Sequence, residues 1–508
     1  MRGLRPLVVR ADADSRVGLG HVMRSLAVAQ AFKNTGRGVI VASHVPNRQL
    51  ASKWLQDGIE VESLDTRPGS VEDARWTVDI AKRYGAKWVM IDGYSFDAEF
   101  QKYLKNSGLR ILSVDDYGHA SHYHADIVVN QNVYANERLY EEREPYTELL
   151  LGPRFVMLRK EFDIWQRFSR ETPMQARKLL VTLGGADWAN VTSTVIEGLK
   201  KIRSRELESI VVVGALNSHY EKLTRLVQDG SRHINIRASV EDMPRLMAWA
   251  DMAVSAGGST CYEMAYMRLP SIAVVLAENQ RAVVKGLEDL GVLRNLGWFE
   301  NCSATTVAEA VETLLGDECK RFQMAAKGRE IVDGKGVKRI RNRLIEQEIQ
   351  LRRATREDSV LLWKWANEQE VRQASFESEV IEWDVHERWF RSRMSDENCL
   401  ILIAVGEEGQ AIGQARFEKN EGDIVISVSV NSKFRGLGYG ESVISKASRK
   451  ALNLLDGEMI HAYIKIENET SSHAFRGAGY KDAGLTTFKG CSARHFTFGE
   501  EVKVESKN

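Results

Sequence analysis

Over its first 340 residues the sequence repeats one unit: a short run apolar on both faces, a turn carrying Gly or Asp, and a stretch with helical periodicity. The runs are residues 7–10, 38–42, 87–92, 110–115 and 126–129, then 178–183, 209–213, 251–255 and 270–276. Such runs suit parallel strands, because a parallel sheet is covered by helices on both faces. Two successive arrays predict two Rossmann-like domains facing one another across a cleft, at residues 1–155 and 156–340. A charged helical segment with a sparse stripe of Ile340, Leu344 and Ile345 leads into a connector at 341–350. The pattern then changes. Helical stretches at 361–366 and 385–393 precede strand-like runs at 400–405, 411–417 and 423–430, which predicts a mixed α+β domain over residues 351–500.

Composition sets further bounds. A chain of 508 residues exceeds one hydrophobic core. Lys+Arg and Asp+Glu balance at 70 each, so nothing points to a nucleic acid partner and anion sites must be local. The five cysteines are scattered, with no Cys-x-x-Cys, and no His pair stands at metal-ligand spacing. A reducing cytoplasm is expected and no metal. No run approaches the length of a membrane span, and Asp12 and Asp14 stand where a signal peptide would be apolar, so no membrane partner is expected.

Three turns carry candidate chemistry. Gly18, Gly20 and His21 lie between the first strand and a helix through Val22, Leu26 and Ala29, where a histidine can transfer protons near neutral pH. Gly184-Gly185 and Gly257-Gly258-Ser259-Thr260 each follow a buried strand and open a helix. Backbone N–H groups and the helix dipole there favour an anion, and two such turns suit a pyrophosphate, unless the glycines only permit tight turns. Neither a Gly-x-Gly-x-x-Gly signature nor a Walker lysine is present, which argues against NAD binding and ATP hydrolysis. Asp92 and Asp115-Asp116 end strands, where open sheets bind ligands and where Asp also caps helices and turns. In the last domain, Arg435-Gly-Leu-Gly-Tyr-Gly440 follows the run ending at Val430 and opens a helix, again cradling an anion.

The block from Ala256 through Glu263 and Pro270 to Asn279-Gln280 resembles the UDP-binding signature of GT-B-fold enzymes, including the GlcNAc transferase of lipid II synthesis. The N-terminal stretch Arg10 to Arg24, with Asp92-Gly-Tyr94, Asp115-Asp116-Tyr and Asn130-Gln-Asn, resembles more narrowly the UDP-2,4-diacetamido-2,4,6-trideoxy-β-L-altropyranose hydrolases of pseudaminic acid synthesis. The resemblance implies a GT-B pair in which His21 activates water, with Asp12, Tyr94 and Asp115 orienting His21, water or the acetamido groups. It also implies a UDP-sugar site of Gly20, Arg24, Gly185, backbone near Val240 and Met243, Ser259, Thr260, Glu263 on the ribose, Asn279 and Gln280, with no metal.

The Arg435–Gly440 loop and the downstream Asn468, Ser471, Phe475, Gly479 and Tyr480 resemble the GNAT acetyltransferases. That likeness implies acetyl-CoA as co-substrate, held by Val430, Arg435, Gly436, Gly438, Gly440 and Asn468. Many members carry Tyr where this chain has Phe475, which has no hydroxyl to protonate the leaving thiolate. Water or Tyr439 is left as the acid, and Glu418, Glu421 or His461 as the base. Together the resemblances imply N4-acetylation of a UDP-4-amino-4,6-dideoxy-2-acetamido sugar, followed by hydrolysis of the diacetamido product. The alternative is a GT-B glycosyltransferase with a CoA-binding regulatory module.

Overall fold

The computed structural model describes residues 4–12, 20–44, 54–185, 187–202, 206–214, 217–228, 233–238, 240, 242–420 and 423–499. Its internal contacts divide the chain into two compact units, Met1–Ile340 and Arg341–Asn508.

In the first unit, seven strands form one sheet in the order β3-β2-β1-β4-β5-β6-β7. They are β1 (Leu7–Ala11), β2 (Val39–His44), β3 (Glu60–Leu64), β4 (Trp88–Asp92), β5 (Arg110–Val114), β6 (Ile127–Asn130) and β7 (Glu148–Leu151), and every pairing is parallel. All five residues of β1 and of β4 are buried, as central strands covered on both faces require. A second parallel sheet has the order β10-β9-β8-β11-β12-β13, from β8 (Lys178–Thr182), β9 (Glu208–Val213), β10 (Ile234–Ala238), β11 (Met252–Ala256), β12 (Ser271–Val275) and β13 (Leu293–Trp298). The two sheets are Rossmann-like lobes. The sequence runs had marked β1, β2, β4, β5, β6, β8, β9, β11 and β12. The four missed strands, β3, β7, β10 and β13, are the four sheet edges, whose half-exposed faces carry polar residues such as Glu60 and Glu62.

Strand order reverses between β1 and β4 in the first sheet and between β8 and β11 in the second. In open α/β sheets these reversals open a crevice at the carboxyl ends of the strands, where ligands bind. Helix α1 (Gly20–Lys33) leaves the first reversal and α2 (Thr260–Tyr266) the second.

The second unit is a mixed seven-stranded sheet in the order β14-β15-β16-β17-β18-β20-β19. Its strands are β14 (Gln350–Arg353), β15 (Cys399–Val405), β16 (Ala411–Asn420), β17 (Asp423–Val430), β18 (Met459–Lys465), β19 (Lys481–Phe488) and β20 (Cys491–Gly499). Every pairing is antiparallel except β17 with β18. Helices α3 (Tyr439–Leu455) and α4 (Glu469–Gly477) cover one face, where Ile444, Ala447 and Phe475 pack on Phe417, Ile460 and Phe496. No helix among the described residues is long and apolar enough to cross a membrane.

Candidate active sites

The first site is built where β1, β4 and β5 end. His21 and Arg24 lie on the first turn of α1, three residues apart and hence on one helix face. Arg24 is buried between two carboxylates. Its Nε and Nη2 donate to Asp92 at 2.9 and 2.7 Å, and its Nη1 and Nη2 donate to Asp116 at 2.7 and 3.1 Å. Ser25 Oγ donates to Asp92 at 2.8 Å, while Tyr94 Oη and Asn132 Nδ2 donate to Asp116 at 2.7 and 2.9 Å. Burial pushes the Asp116 carboxyl up, but the Arg24 guanidinium overrides it and holds Asp116 well below the usual carboxylate range.

His21 faces this ion cluster without joining its hydrogen bonds. Its Nδ1 is 3.8 Å from Asp92 Oδ1 and its Nε2 is 3.9 Å from Asp116 Oδ2, both beyond hydrogen-bond range. The ring meets Tyr94 edge-on, with centroids 4.9 Å apart. Burial pushes the imidazole below its ordinary 6.5, and of its neighbours Asp92 opposes this while Arg24 adds to it. His21 is therefore neutral near pH 7 and able to accept a proton. Burial and Asp116 raise the Tyr94 phenol, so Tyr94 remains a donor.

Three sequence expectations are corrected here. Asp115 does not stand at His21. Its carboxylate accepts the backbone N–H of Tyr117 and Gly118 at 2.8 and 3.0 Å, contacts His119 at 3.1 Å and accepts from Tyr123 Oη, so it anchors a turn. Successive side chains leave an extended chain on opposite sides, and it is Asp116 that turns to His21. Asp12 accepts from Arg10 Nη1 at 2.6 Å and His44 N at 2.7 Å, while Arg10 also clamps Asp73; this ties the ends of β1 and β2. Arg24, expected on the substrate, lines the cleft but makes its four donor contacts to Asp92 and Asp116. Asp14 and Gly18 lie outside the described residues.

Gly20, Met23 and Arg24 line a cleft together with Gln131, residues 156–159, Ser259 and Glu263. The cleft brings together elements of both switch points. Glu263 accepts from Arg159 at 3.4 Å; burial pushes its carboxyl up and Arg159 opposes that shift. Ser259 is exposed at the start of α2 and makes no capping bond through its side chain, and above Gly258 there is open space. Asn279 reaches the Tyr94 hydroxyl.

Other predicted positions serve the turns themselves. Gln280 Oε1 accepts from Leu276 N at 2.9 Å, and a Cβ on Gly257 would meet Val284 at 2.3 Å. Gly184 adopts φ 90°, and Gly185 lies so close to Gly214 that a Cβ there would meet its carbonyl at 2.4 Å. Met243 opens a helix capped by Asp242, and Met243 and Val240 are both half-buried against the core of this lobe.

The second unit holds a different opening. β17 pairs with β18 only at Ile424↔Ile460 and Val425↔His461, although β17 continues to Val430 and β18 to Lys465. Their outer edges stay paired, to β16 and β20, so the inner edges diverge as a wedge. At the wide end the chain turns through Gly436 (φ 75°) and Gly438 (φ 83°) into α3, and a Cβ on Gly436 would meet nothing within 4 Å. The open backbone, positive-φ glycines and helix start fit an extended chain ending in a pyrophosphate. Arg435 shapes this loop: its Nε donates to Val430 O at 2.9 Å and its Nη groups pair with Glu368 and Glu370. Asn468 caps α4, accepting from Ser471 N at 3.0 Å.

Phe475 is buried against Tyr480 and Phe496, and Tyr439 is buried with its hydroxyl 3.5 Å from Glu348. Glu418 is paired with Arg393 at 3.2 Å, and Glu421 lies outside the described residues. At the narrow end of the wedge His461 Nε2 lies 3.4 Å from Asp423, and His461 Nδ1 lies 2.9 Å from His495 Nε2. Burial lowers the His495 imidazole, as does His461. His495 was missed in the sequence because antiparallel pairing of β18 with β20 brings it there from 34 residues away.

Comparison with known proteins agrees with this two-part construction. Residues 179–344 match the glycosyltransferase family 28 C-terminal domain, and residues 348–481 match the acetyltransferase (GNAT) domain. The chain joins a GT28-like lobe to a GNAT domain. It is 23% identical over 289 residues to the UDP-2,4-diacetamido-2,4,6-trideoxy-beta-L-altropyranose hydrolase of Campylobacter jejuni, covering 56% of this chain and 97% of that one. The spore coat polysaccharide biosynthesis protein SpsG of Bacillus subtilis is 24% identical over 344 residues, 67% of this chain and 98% of that one. The uncharacterized protein MJ1062 of Methanocaldococcus jannaschii is 22% identical over 494 residues, 94% of this chain and 96% of that one, so the likeness there runs through both units. The protein is an enzyme, and acetyl-CoA is the co-substrate of its GNAT domain.

Proposed function

We propose that the protein is a bifunctional enzyme of pseudaminic acid biosynthesis. Residues 351–500 acetylate the 4-amino group of a UDP-4-amino-4,6-dideoxy-2-acetamido sugar. Residues 1–155, carrying His21, and 156–340, carrying the UDP site, then hydrolyse the UDP-2,4-diacetamido-2,4,6-trideoxy product to free sugar and UDP. Residues 341–350 connect the two activities. A cytoplasmic location belongs to the same reading.

The observation that carries the hydrolase assignment is a neutral His21 on α1, the helix whose Gly20, Met23 and Arg24 line a cleft with Ser259 and Glu263. In the reaction His21 takes a proton from water as the water oxygen bonds to the anomeric carbon. The bond from that carbon to the UDP oxygen breaks on the opposite face, and UDP leaves with the electron pair. The turns at Gly185 and Ser259-Thr260 hold the pyrophosphate as its charge grows, Glu263 takes the ribose, backbone near Val240 and Met243 takes uracil, and Asn279 takes the sugar or phosphate. Asp92 and Asp116, both paired with Arg24, flank His21 without deprotonating water themselves.

For acetyl transfer, the wedge between β17 and β18 receives the pantetheine arm along Val430, and the Gly436–Gly440 loop receives the pyrophosphate. The sugar amine bonds to the thioester carbonyl carbon, the C–S bond breaks, and CoA leaves as thiolate. The amine proton passes to the His495–His461 pair and on to Asp423, which is exposed. With no phenol at Phe475, positioning supplies much of the rate.

The test is mass spectrometry of the purified chain with the UDP-4-amino sugar and acetyl-CoA. Acetylated UDP-sugar followed by free diacetamido sugar and UDP is expected, and labelled water oxygen should appear in the sugar rather than in UDP. The match to glycosyltransferase family 28 favours a second reading, transfer of the sugar to an acceptor hydroxyl. UDP release without any acceptor separates the two.

A further inference from the structure

Outside both sites, three metal-ligating side chains converge on one point: His122, His124 and Glu144, whose ligand atoms all lie within 4.8 Å of one another. We propose that they form a divalent-cation site of zinc type that staples the loop carrying Tyr123 to the segment before β7.

The backbone fixes the arrangement. Residues 122–124 run extended beside residues 142–144, with Tyr123 N donating to Glu142 O at 2.9 Å and Glu144 N to Tyr123 O at 3.1 Å. In an extended chain residues i and i+2 share a face. His122 and His124 therefore point together towards Glu144, with ring centroids 4.6 Å apart. Tyr123, between them, is buried on the opposite side with its hydroxyl on Asp115. His124 N donates to Gln101 Oε1 at 3.1 Å and Tyr146 Oη to His124 O at 3.2 Å, so the ligands hang from a pinned chain.

The two separations to the Glu144 carboxylate suit a tetrahedral ion. Zn–N and Zn–O bonds of ~2.1 Å at the tetrahedral angle place ligand atoms about 3.4 Å apart. Glu144 Oε1 lies 3.3 Å from His122 Nε2 and 3.0 Å from His124 Nδ1. One carboxylate and two neutral imidazoles carry a net charge that favours a divalent cation, and the set leaves a fourth position for water. All three side chains are partly exposed, which gives the ion a path in. The site contributes no residue to either proposed reaction; its role is structural.

The experiment uses the tag-free full-length chain, stripped with chelator and titrated calorimetrically with Zn²⁺ alone, with Co²⁺ absorption as a second readout. The expected result is one tightly held equivalent, tetrahedral Co²⁺ bands, and a higher unfolding temperature with metal. His122→Asn and Glu144→Gln, each checked for native circular dichroism, should weaken Zn²⁺ binding by more than roughly 10–100-fold, the loss seen when outer-shell partners are removed. His461→Asn should leave it unchanged. Failure of the unaltered chain to bind a stoichiometric equivalent, or undiminished binding by either folded ligand variant, overturns the proposal.

Discussion

His21 Nε2 stands 3.9 Å from Asp116 Oδ2, while Tyr94 Oη occupies that same oxygen at 2.7 Å. The carboxylate is already satisfied by Tyr94, Arg24 and Asn132 before the imidazole reaches it. A histidine bonded directly to an ionised Asp gains proton affinity; one held just beyond reach stays neutral and unengaged. The arrangement keeps a base available near pH 7.

Removing that base tests the assignment directly. His21→Asn should lower UDP release by roughly 10²–10⁴, the usual contribution of a general base. Acetyl transfer by the same preparation should be unaltered. Hydrolysis at the unaltered rate would sink the role given to His21.

The pH dependence follows from the direction of the His21 shift. Its folded value lies below 6.5, so the acid limb of hydrolytic kcat/KM should fall below pH 6.5 and disappear in His21→Asn. Stability shares the sign. The unfolded chain takes up the His21 proton first on acidification, so the first unit should lose stability as pH falls below 6.5 and gain nothing from this group above it. Chemical denaturation across that window measures it.

Asp115 and Asp116 separate by substitution. Asp116→Asn leaves Arg24 with one charged partner, and breaking a buried pair costs about 3–5 kcal/mol. It also removes a carboxylate that raises the His21 value, so the acid limb should move to lower pH. Asp115→Asn should cost stability through its turn and leave the acid limb in place. Equal displacement of the limb by both variants would show that Asp116 has no special standing at His21.

In the second unit, His495→Gln should slow acetyl transfer and remove its acid limb, which lies below 6.5 because His495 is shifted down. UDP release from a pre-acetylated substrate should not change. A pH profile of transfer identical to the unaltered chain would exclude the His461–His495 pair as proton acceptor.

Gly436 adopts φ 75°. Gly436→Ala should cost about 1–2 kcal/mol of local strain and raise KM for acetyl-CoA more than it lowers kcat. Steady-state kinetics with varied acetyl-CoA measure the split.

Much of this fold could be read from residue pattern, and the failures have identifiable causes. The central strands of both parallel sheets are continuous apolar runs, so β1, β4, β8 and β11 are plain in the sequence. Edge strands such as Glu60–Leu64 carry polar residues on a half-wet face and look like loops. Within the first site, the turn before α1 identified His21, but strand alternation alone could not decide between adjacent Asp115 and Asp116. The resemblance implied Arg24 on the UDP-sugar, and its pairing with two carboxylates could not be read from the sequence. His495 depends on strand pairing, and the His122-x-His124 pair on an extended backbone where helical spacing does not apply.

The two-rung contact between β17 and β18 has a kinetic meaning. A closed sheet would have to unzip before an extended guest could lie between its strands, and association would wait on that opening. Here the unzipped state is the resting state, stabilised by full pairing on the outer edge of each strand. A guest chain can dock as a missing strand without waiting for the host to rearrange, so diffusion, rather than a gating motion, should limit its arrival.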